Sequence, residues 1–344
     1  MVLKDLKYLL AYIIPLSGFI AVMGRGWISY VTVIIAFGII PVMEWILKTD
    51  PKNDPIIEEE RKKNLIIFDV LLFLNIPIVY GLFYFTLYTI TRDSWHSFEI
   101  VGKILSVGII GGSAGINVAH ELGHKSNPFY QKAAWLLLCP VLYMHFYIEH
   151  NRGHHLRVAT PEDPATARKG EWIYAFWIRS IAGSYIHAWK LEKKRLKSKN
   201  LPVISFHNEM IVFSIFQFLY LSIVFFWLGW LGIIYAVAIA LIAILLLETI
   251  NYIEHYGIVR RKNPLGKYEK VELHHSWNSD HVLGRIMLYE LTRHSDHHYK
   301  ASKKYQNLKS YKESPQLPLG YPGSMLLSFI PPLWFYYIDS RINT

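Results

Sequence analysis

Apolar residues run along this chain in long blocks and seldom alternate with polar ones. Six blocks, at 8–24, 27–47, 65–90, 98–119, 210–228 and 233–253, each come near the ~20 residues a helix needs to cross a bilayer. Gly24-Arg25-Gly26 makes a tight turn between the first two, and 229–232 turns the last two in the same way. No small-residue cleavage site follows the first block and a second begins at once, so the first reads as a span and not as a cleaved signal peptide. Two further apolar stretches, 133–148 and 324–338, are shorter, and the second is broken by Pro331-Pro332. Their length suits buried, re-entrant or interfacial segments.

The polar segments set the orientation. Residues 156–205 hold ten Lys/Arg against four Asp/Glu, and 258–312 hold twelve against five. The positive-inside rule turns both toward the cytoplasm, together with Lys4 and Lys7 at the N-terminus. Six spans make this consistent, with three short turns outside and every long polar segment inside. The expected fold is an all-α membrane protein: six transmembrane helices under a cytoplasmic, histidine-rich helical cap, one domain over 1–344.

Composition agrees with this. Of 344 residues 52% are hydrophobic and 15% aromatic, which excludes a disordered chain and argues against two soluble domains. A single cysteine, Cys139, excludes a disulfide framework and Cys-rich zinc or iron–sulfur modules within the chain. Its proline neighbour and apolar setting make it a small packed residue. No internal repeat or nucleic-acid motif is evident. The net charge of +10 follows from membrane topology, with an acidic partner as a second source.

The chain has 16 histidines, and they cluster. His120-Glu121-Leu122-Gly123-His124 spaces two imidazoles at i and i+4, on one helix face. Glu149-His150-Asn151-Arg152-Gly153-His154-His155 repeats the spacing and adds a neighbour. Arg293-His294-Ser295-Asp296-His297-His298 sets imidazoles at i, i+3 and i+4, and His255 ends the sixth block in Asn251-Tyr252-Ile253-Glu254-His255-Tyr256-Gly257. Charged imidazoles would repel one another, and neutral ones have no packing reason to gather, so metal binding is the economical explanation. Helix lengths favour one shared site. His120 and His255 each follow 22 residues from the outer start of a block, which is ~33 Å at 1.5 Å per residue. If 133–148 crossed the bilayer, His150 would lie ~30 Å from His124 on the opposite side, so this segment is expected to return.

Nine candidate ligands result: His120, His124, His150, His154, His155, His255, His294, His297 and His298. Nine exceed one ion and suit two, with four or five each. Imidazole suits iron, copper, zinc and nickel. Glu121, Glu149, Asp163, Glu254 and Asp296 stand beside them as carboxylates expected to orient ligating imidazoles. His96, His187 and His207 read as structural or solvated and His145 as packed; His274, His275 and His281 could play supporting roles. Ala36, Gly38, Gly108, Gly111, Gly112, Ala114 and Gly115 are small residues inside the blocks, suited either to close helix packing or to leaving room for a chain-like substrate; of these, Ala36, Gly111, Gly112 and Gly115 are the candidate substrate-binding positions.

These four histidine motifs, with Val158-Ala159-Thr160-Pro161-Glu162-Asp163-Pro164-Ala165-Thr166-Ala167-Arg168 and His275-Ser276-Trp277-Asn278-Ser279, resemble those of bacterial integral-membrane alkane 1-monooxygenases. With the six-span layout the resemblance covers nearly the whole chain. The first three boxes in outline occur more widely, in membrane desaturases and xylene monooxygenases; Asn-Tyr-x-Glu-His-Tyr-Gly is the more specific. The resemblance implies terminal hydroxylation of medium-chain n-alkanes by dioxygen, two non-haem irons on the nine histidines, and a bacterial cytoplasmic (inner) membrane location. It also implies electrons from rubredoxin, as a separate chain, reduced by an NAD(P)H-dependent rubredoxin reductase. A short tail and one cysteine leave no room for a fused rubredoxin. An alkane C–H bond offers no polar handle, so a redox metal is what it requires, and the bilayer supplies the alkane.

Three alternative readings share some of these features. An acyl-lipid desaturase or xylene-type monooxygenase shares the metal chemistry and differs in substrate. An intramembrane zinc protease using His120, Glu121 and His124 would leave six clustered histidines idle. A metal transporter or sensor would favour polar residues along the spans. Metal analysis separates these readings.

Overall fold

The computed structural model describes residues 3–342. It is helical throughout, with only isolated bridges such as Thr49 to His281 and no strand among the described residues. Five helices are long and apolar enough to cross a membrane: α1 (Lys4–Met23), α2 (Gly26–Leu47), α3 (Ile67–Arg92), α4 (Ser97–Gly123) and, past the shorter elements below, a fifth of 47 residues, Glu209–His255. Large apolar side chains such as Leu16, Ile46 and Phe226 are exposed on them, and Trp27 and Trp45 stand exposed near opposite ends of α2. This is the pattern of a lipid-facing surface with aromatic residues at its two borders.

Between α4 and the fifth long helix lie α5 (Pro128–Leu138), α6 (residues 146–157) and α7 (Ile173–Ser198). Helix α5 is only 11 residues, ~16 Å, about half a bilayer. The chain then turns, with Leu142 at φ 54°, and returns along α6. The stretch 133–148 thus comes back to where it started.

The long fifth helix, α8 (Glu209–His255), is broken at one residue, Gly229, with φ 68° and ψ −163°. As a straight rod 47 residues would extend ~70 Å. It is not straight. A Cβ built on Gly232 would lie 3.2 Å from the side chain of Val224, eight residues back and ~12 Å away along an uninterrupted helix. The chain therefore folds back here, at one left-handed residue where a four-residue turn was expected, in a conformation that suits glycine.

The cap is built from α9 (His294–Tyr299), α10 (Tyr321–Ser328) and α11 (Pro331–Ile338), with loops between them. The apolar stretch 324–338 is the latter pair, broken before Pro331 because proline starts helices and cannot continue them. Buried Glu290 ties the cap to α1. It accepts from Lys7 Nζ (2.8 Å), Tyr8 Oη (2.9 Å) and Arg285 Nε (2.8 Å). Burial alone would raise its pKa; Lys7 and Arg285 instead hold it down to about 2.

A carboxyl depressed in the fold stabilises it above its ordinary value of ~4.3. That contribution fades as pH falls through about 2. Glu290→Gln should cost ~3 kcal/mol at neutral pH, read as a lower melting temperature in detergent. It should also flatten the loss of stability between pH 4 and 2. A melting curve like that of the parent at both pH values would refute this role.

Candidate metal centre

Four elements deliver the imidazoles to one place. Helix α4 ends on His120 and His124, α8 ends on His255, α6 carries His150, His154 and His155, and α9 carries His294, His297 and His298. Seven of the nine are buried with almost no solvent contact, and His124 and His155 are half-buried. The nine form two groups of donor atoms within 4.8 Å of one another: His120, His124, His150, His155 and His297 in one, and His154, His255, His294 and His298 in the other. Between them the two groups contain the nine candidate histidines, divided five and four.

The i, i+4 rule holds at His120/His124 and His294/His298 but fails at His150/His154, which fall in different groups. Residues His150–His154 form a π-turn. With hydrogen bonds from i to i+5, residue i+5 takes the place above residue i. His155 accordingly joins His150, and His154 swings to the other group. Similar π-turns occur at Ile35–Ile39 and Gly111–Ile116.

Each pair of donor atoms stands at hydrogen-bond distance, but the set cannot be hydrogen-bonded throughout. Nε2 of His124, His150 and His155 form a triangle with edges of 3.0, 2.9 and 3.2 Å. In the second group Nε2 of His298 lies 2.9 Å from His294 and 3.2 Å from His154, and His294 is 3.2 Å from His255. An imidazole nitrogen either carries a proton or offers a lone pair, so three cannot all hydrogen-bond in a triangle. One positive ion inside it accepts all three lone pairs. His120 Nε2 is buried with no hydrogen-bond partner among the described residues. Burial and neighbouring imidazoles lower the pKa of His150, His155, His294, His297 and His298 well below the usual 6.5, and that of His124 to about 3. They are neutral at pH 7, the state that binds metal. The residues present fit two imidazole-bound ions.

The five flanking carboxylates behave differently from one another. Asp163 does what was expected: Oδ2 meets His154 Nδ1 at 2.9 Å, and Thr166 donates to the same oxygen. Burial opposes charge on both partners, yet their attraction raises the pKa of His154 and lowers that of Asp163. Glu149 instead pairs with His187 Nδ1 (3.0 Å), a residue expected to be merely structural or solvated. Glu121 accepts from the Tyr305 backbone (3.3 Å), and Asp296 bonds Lys303 and the Lys309 backbone. Their backbone directions point them away from the imidazoles beside them in sequence. Glu254 meets His294 at Nε2, not Nδ1.

Glu248 was not foreseen. Buried within α8, it accepts from Tyr143 Oη (2.7 Å) and Ser180 Oγ (2.5 Å). An ionisable residue inside an apolar span is itself a signal. His145 packs between Tyr143 and Tyr185. His274 and His275 join Glu269 in a third group, separate from the nine, and His281 Nδ1 pairs with Ser279 Oγ.

Two cavities approach the centre. One is apolar and lined by Ala36, Phe37, Ile109, Ala114, Leu246 and Met325, among others. The second, smaller, includes Gly112, His120, His150, Glu254 and His294. Ile250 borders both. Of the four expected small substrate positions, Ala36 and Gly112 line cavities. A Cβ on Gly111 would stand 3.0 Å from Ala243 and 3.1 Å from Phe83 and Val141, and one on Gly112 only 2.5 Å from Leu246, so both glycines permit close helix packing; one on Gly115 would meet nothing nearer than 3.9 Å.

Residues 94–325 match the fatty acid desaturase family. Alkane 1-monooxygenase 2 of Pseudomonas aeruginosa is 38% identical over 324 residues, 93% of this chain and 85% of the relative. Alkane 1-monooxygenase 1 of the same organism is 40% identical over 320 residues, 92% and 83% of the two chains. The xylene/toluene monooxygenase hydroxylase component of Pseudomonas putida is 29% identical over 350 residues, 98% and 88%. A buried double cluster of imidazoles at the ends of apolar helices, within a sequence this similar to those relatives over almost its full length, leaves one assignment: the chain belongs to the alkane 1-monooxygenases, multi-pass membrane enzymes of the fatty acid desaturase family.

Proposed function

We propose that this chain hydroxylates the terminal carbon of medium-chain n-alkanes, using dioxygen and electrons delivered by rubredoxin from an NAD(P)H-dependent rubredoxin reductase. The observation that carries this reading is the sorting of nine imidazoles into groups of five and four in a chain so similar to alkane 1-monooxygenases. His120, His124, His150, His155 and His297 hold one iron; His154, His255, His294 and His298 hold the other. The fold-back at Gly229 supports six spans, with the two halves of α8 as the fifth and sixth. The basic segments 156–205 and 258–312 support a cytoplasmic face for the metal centre, in the bacterial inner membrane.

The irons, when bound, supply the dioxygen-activating chemistry that an unactivated C–H bond requires. The chain supplies position and dryness. Ala36, Phe37 and Leu246 line an apolar cavity that receives the alkyl chain from the bilayer and excludes water. Ile250 stands where this cavity meets the one beside His120 and His150, so the chain terminus arrives first. Asp163 holds the proton on His154 Nδ1 and leaves Nε2 free to ligate. Greater identity to the alkane enzymes than to the xylene/toluene component favours a linear substrate over an aryl one.

The test is product analysis with the membrane-embedded enzyme, rubredoxin, its reductase and n-alkanes of graded length. Primary alcohols are expected; an olefinic or aryl-methyl product preference would overturn the reading. His255→Ala should abolish hydroxylation and lower iron from about two per chain while insertion in the membrane is unchanged; retained activity would rule out the nine-ligand set. Ala36→Trp should fill the apolar cavity and shift the preferred alkane to shorter chains, and an unaltered length profile would exclude the alkyl chain from that cavity.

A further inference from the structure

Helix α7 (Ile173–Ser198) falls in the basic segment 156–205, which reads from its charge as a polar region outside the membrane. The structure sets it against the spans. Just before the helix, Gly170 N donates to Tyr256 Oη at 2.7 Å, at the inner end of α8. Toward its other end, Glu192 Oε1 accepts from the backbone of Glu209 at 2.8 Å, where α8 begins. Between the two, Trp177 Nε1 donates to Thr249 Oγ1 (3.2 Å) and Ser180 Oγ to Glu248 Oε2 (2.5 Å). Thr249 stands ~9 Å outward from His255 along α8. Helix α7 thus runs level with the inner ends of both halves of α8, with its middle against the body of a span.

Its outward face changes character once. Over residues 173–186 every exposed side chain is Tyr, Ala or Ile: Tyr174, Ala175, Ile178, Ala182, Tyr185 and Ile186, with Ile178 76% exposed. Most recur at three- and four-residue spacing, which is one side of a helix. From there to the end of α7 the exposed residues are Lys190, Lys193, Lys194, Lys197 and Ser198. In the loop that follows, Ile204 and Phe206 are 90% and 82% exposed just before α8 begins.

We propose that α7 lies in the plane of the membrane on the side of the metal centre, with Tyr174, Ile178, Tyr185 and Ile186 immersed in that leaflet and Lys190, Lys193, Lys194 and Lys197 against anionic lipid headgroups. This rests on the multi-pass membrane assignment and not on the reaction. The occupant of the apolar face is lipid because the face continues the lipid-facing surface of the spans. Trp177 lines one apolar indentation with Val33 of α2, Leu105 of α4 and Ile242 of α8, and Tyr174 Oη donates to Phe329 O (2.8 Å) beside exposed Ile330. Water over α7 would leave its apolar half uncovered, and full immersion would bury four lysines. An amphipathic helix in the interface meets both demands, and its lysines face the negative surface that such a leaflet carries. The change of face falls at His187, whose Nδ1 pairs with Glu149 next to His150. The headgroup level therefore passes beside the imidazole groups.

Spin labels report depth without turnover. Cys139, the single cysteine, is replaced in a Cys139→Ala background, and Ile178→Cys, Ile186→Cys and Lys193→Cys are labelled in turn. Leu241→Cys on the exposed side of a span and Leu265→Cys in an exposed loop serve as references. Each protein is placed at one copy per nanodisc of phosphatidylcholine and phosphatidylglycerol, with thermal unfolding to verify the fold. Labels at 178 and 186 should be relaxed by lipid-soluble oxygen and shielded from an aqueous nickel chelate, as at 241. The label at 193 should fall between 241 and 265. Ile186→Cys carries the measurement if Ile178→Cys does not fold. Labels at 178 and 186 as open to nickel as that at 265 would overturn the immersion. So would labels shielded from both reagents, which mark a covering by protein. For the headgroups, boundary spin-labelled phosphatidylglycerol is compared with phosphatidylcholine in the parent and in Lys190→Gln/Lys193→Gln/Lys194→Gln/Lys197→Gln. The variant should lose part of the parent's preference for the anionic lipid, and ~1 M salt should erase the difference by screening. Equal preference in the two proteins at low salt would overturn the headgroup contact.

Discussion

Nine imidazole nitrogens aimed at one another inside a dry protein cannot be satisfied by hydrogen bonds, and the rest of the structure follows from that constraint. Each buried polar group left without a partner costs ~1–3 kcal/mol, so the set together would rival the entire ~5–15 kcal/mol stability of a domain. A cation in each group removes the conflict by accepting every lone pair, which couples metal binding to folding of the cap. The scaffold has to hold the nitrogens together before the ion arrives. It does so with long apolar helices whose ends meet at one depth, and with ion pairs such as Glu290 with Lys7 and Arg285 that clamp the cap to α1.

The same arrangement meets the demands of the substrate. An alkane has no group to hydrogen-bond, so it is recognised by shape and by exclusion of water. The cavity beside Ala36 is largely apolar, and Tyr321, which borders it, passes its hydroxyl to Glu254 in the next cavity. Ile250 borders both cavities, so polar and apolar linings meet there.

Much of this was legible in the sequence because two signals are strong. Long apolar blocks mark spans, and His-x-x-x-His repeats mark metal ligands. The return of 133–148 followed from a distance argument, since His150 and His124 had to meet; their Nε2 atoms are 3.0 Å apart. What was not legible depends on side-chain direction. Position next to a ligand in sequence suggested five orienting carboxylates, but only Asp163 acts so, because neighbours in a helix point ~100° apart. Gly111 and Gly112 are adjacent and similar in sequence and both pack closely, the first against α3 and α8 and the second against Leu246 of α8, but Gly112 also borders a cavity. Glu248 escaped notice, although a carboxylate in the middle of an apolar block was a visible anomaly, and His187 was read as structural or solvated because it sits in no histidine motif.

The π-turn at His150–His154 has a consequence for how the two imidazole groups are spaced. One short helix serves both groups, His150 and His155 on one side and His154 on the other. The offset between the groups is therefore written into backbone winding. The extra residue in that turn acts as a spacer of fixed size: it sets the two imidazole groups apart through the covalent backbone. Sequence length within this turn is consequently far less free to drift than length in the loops around it, since removing one residue would change which imidazoles face each group.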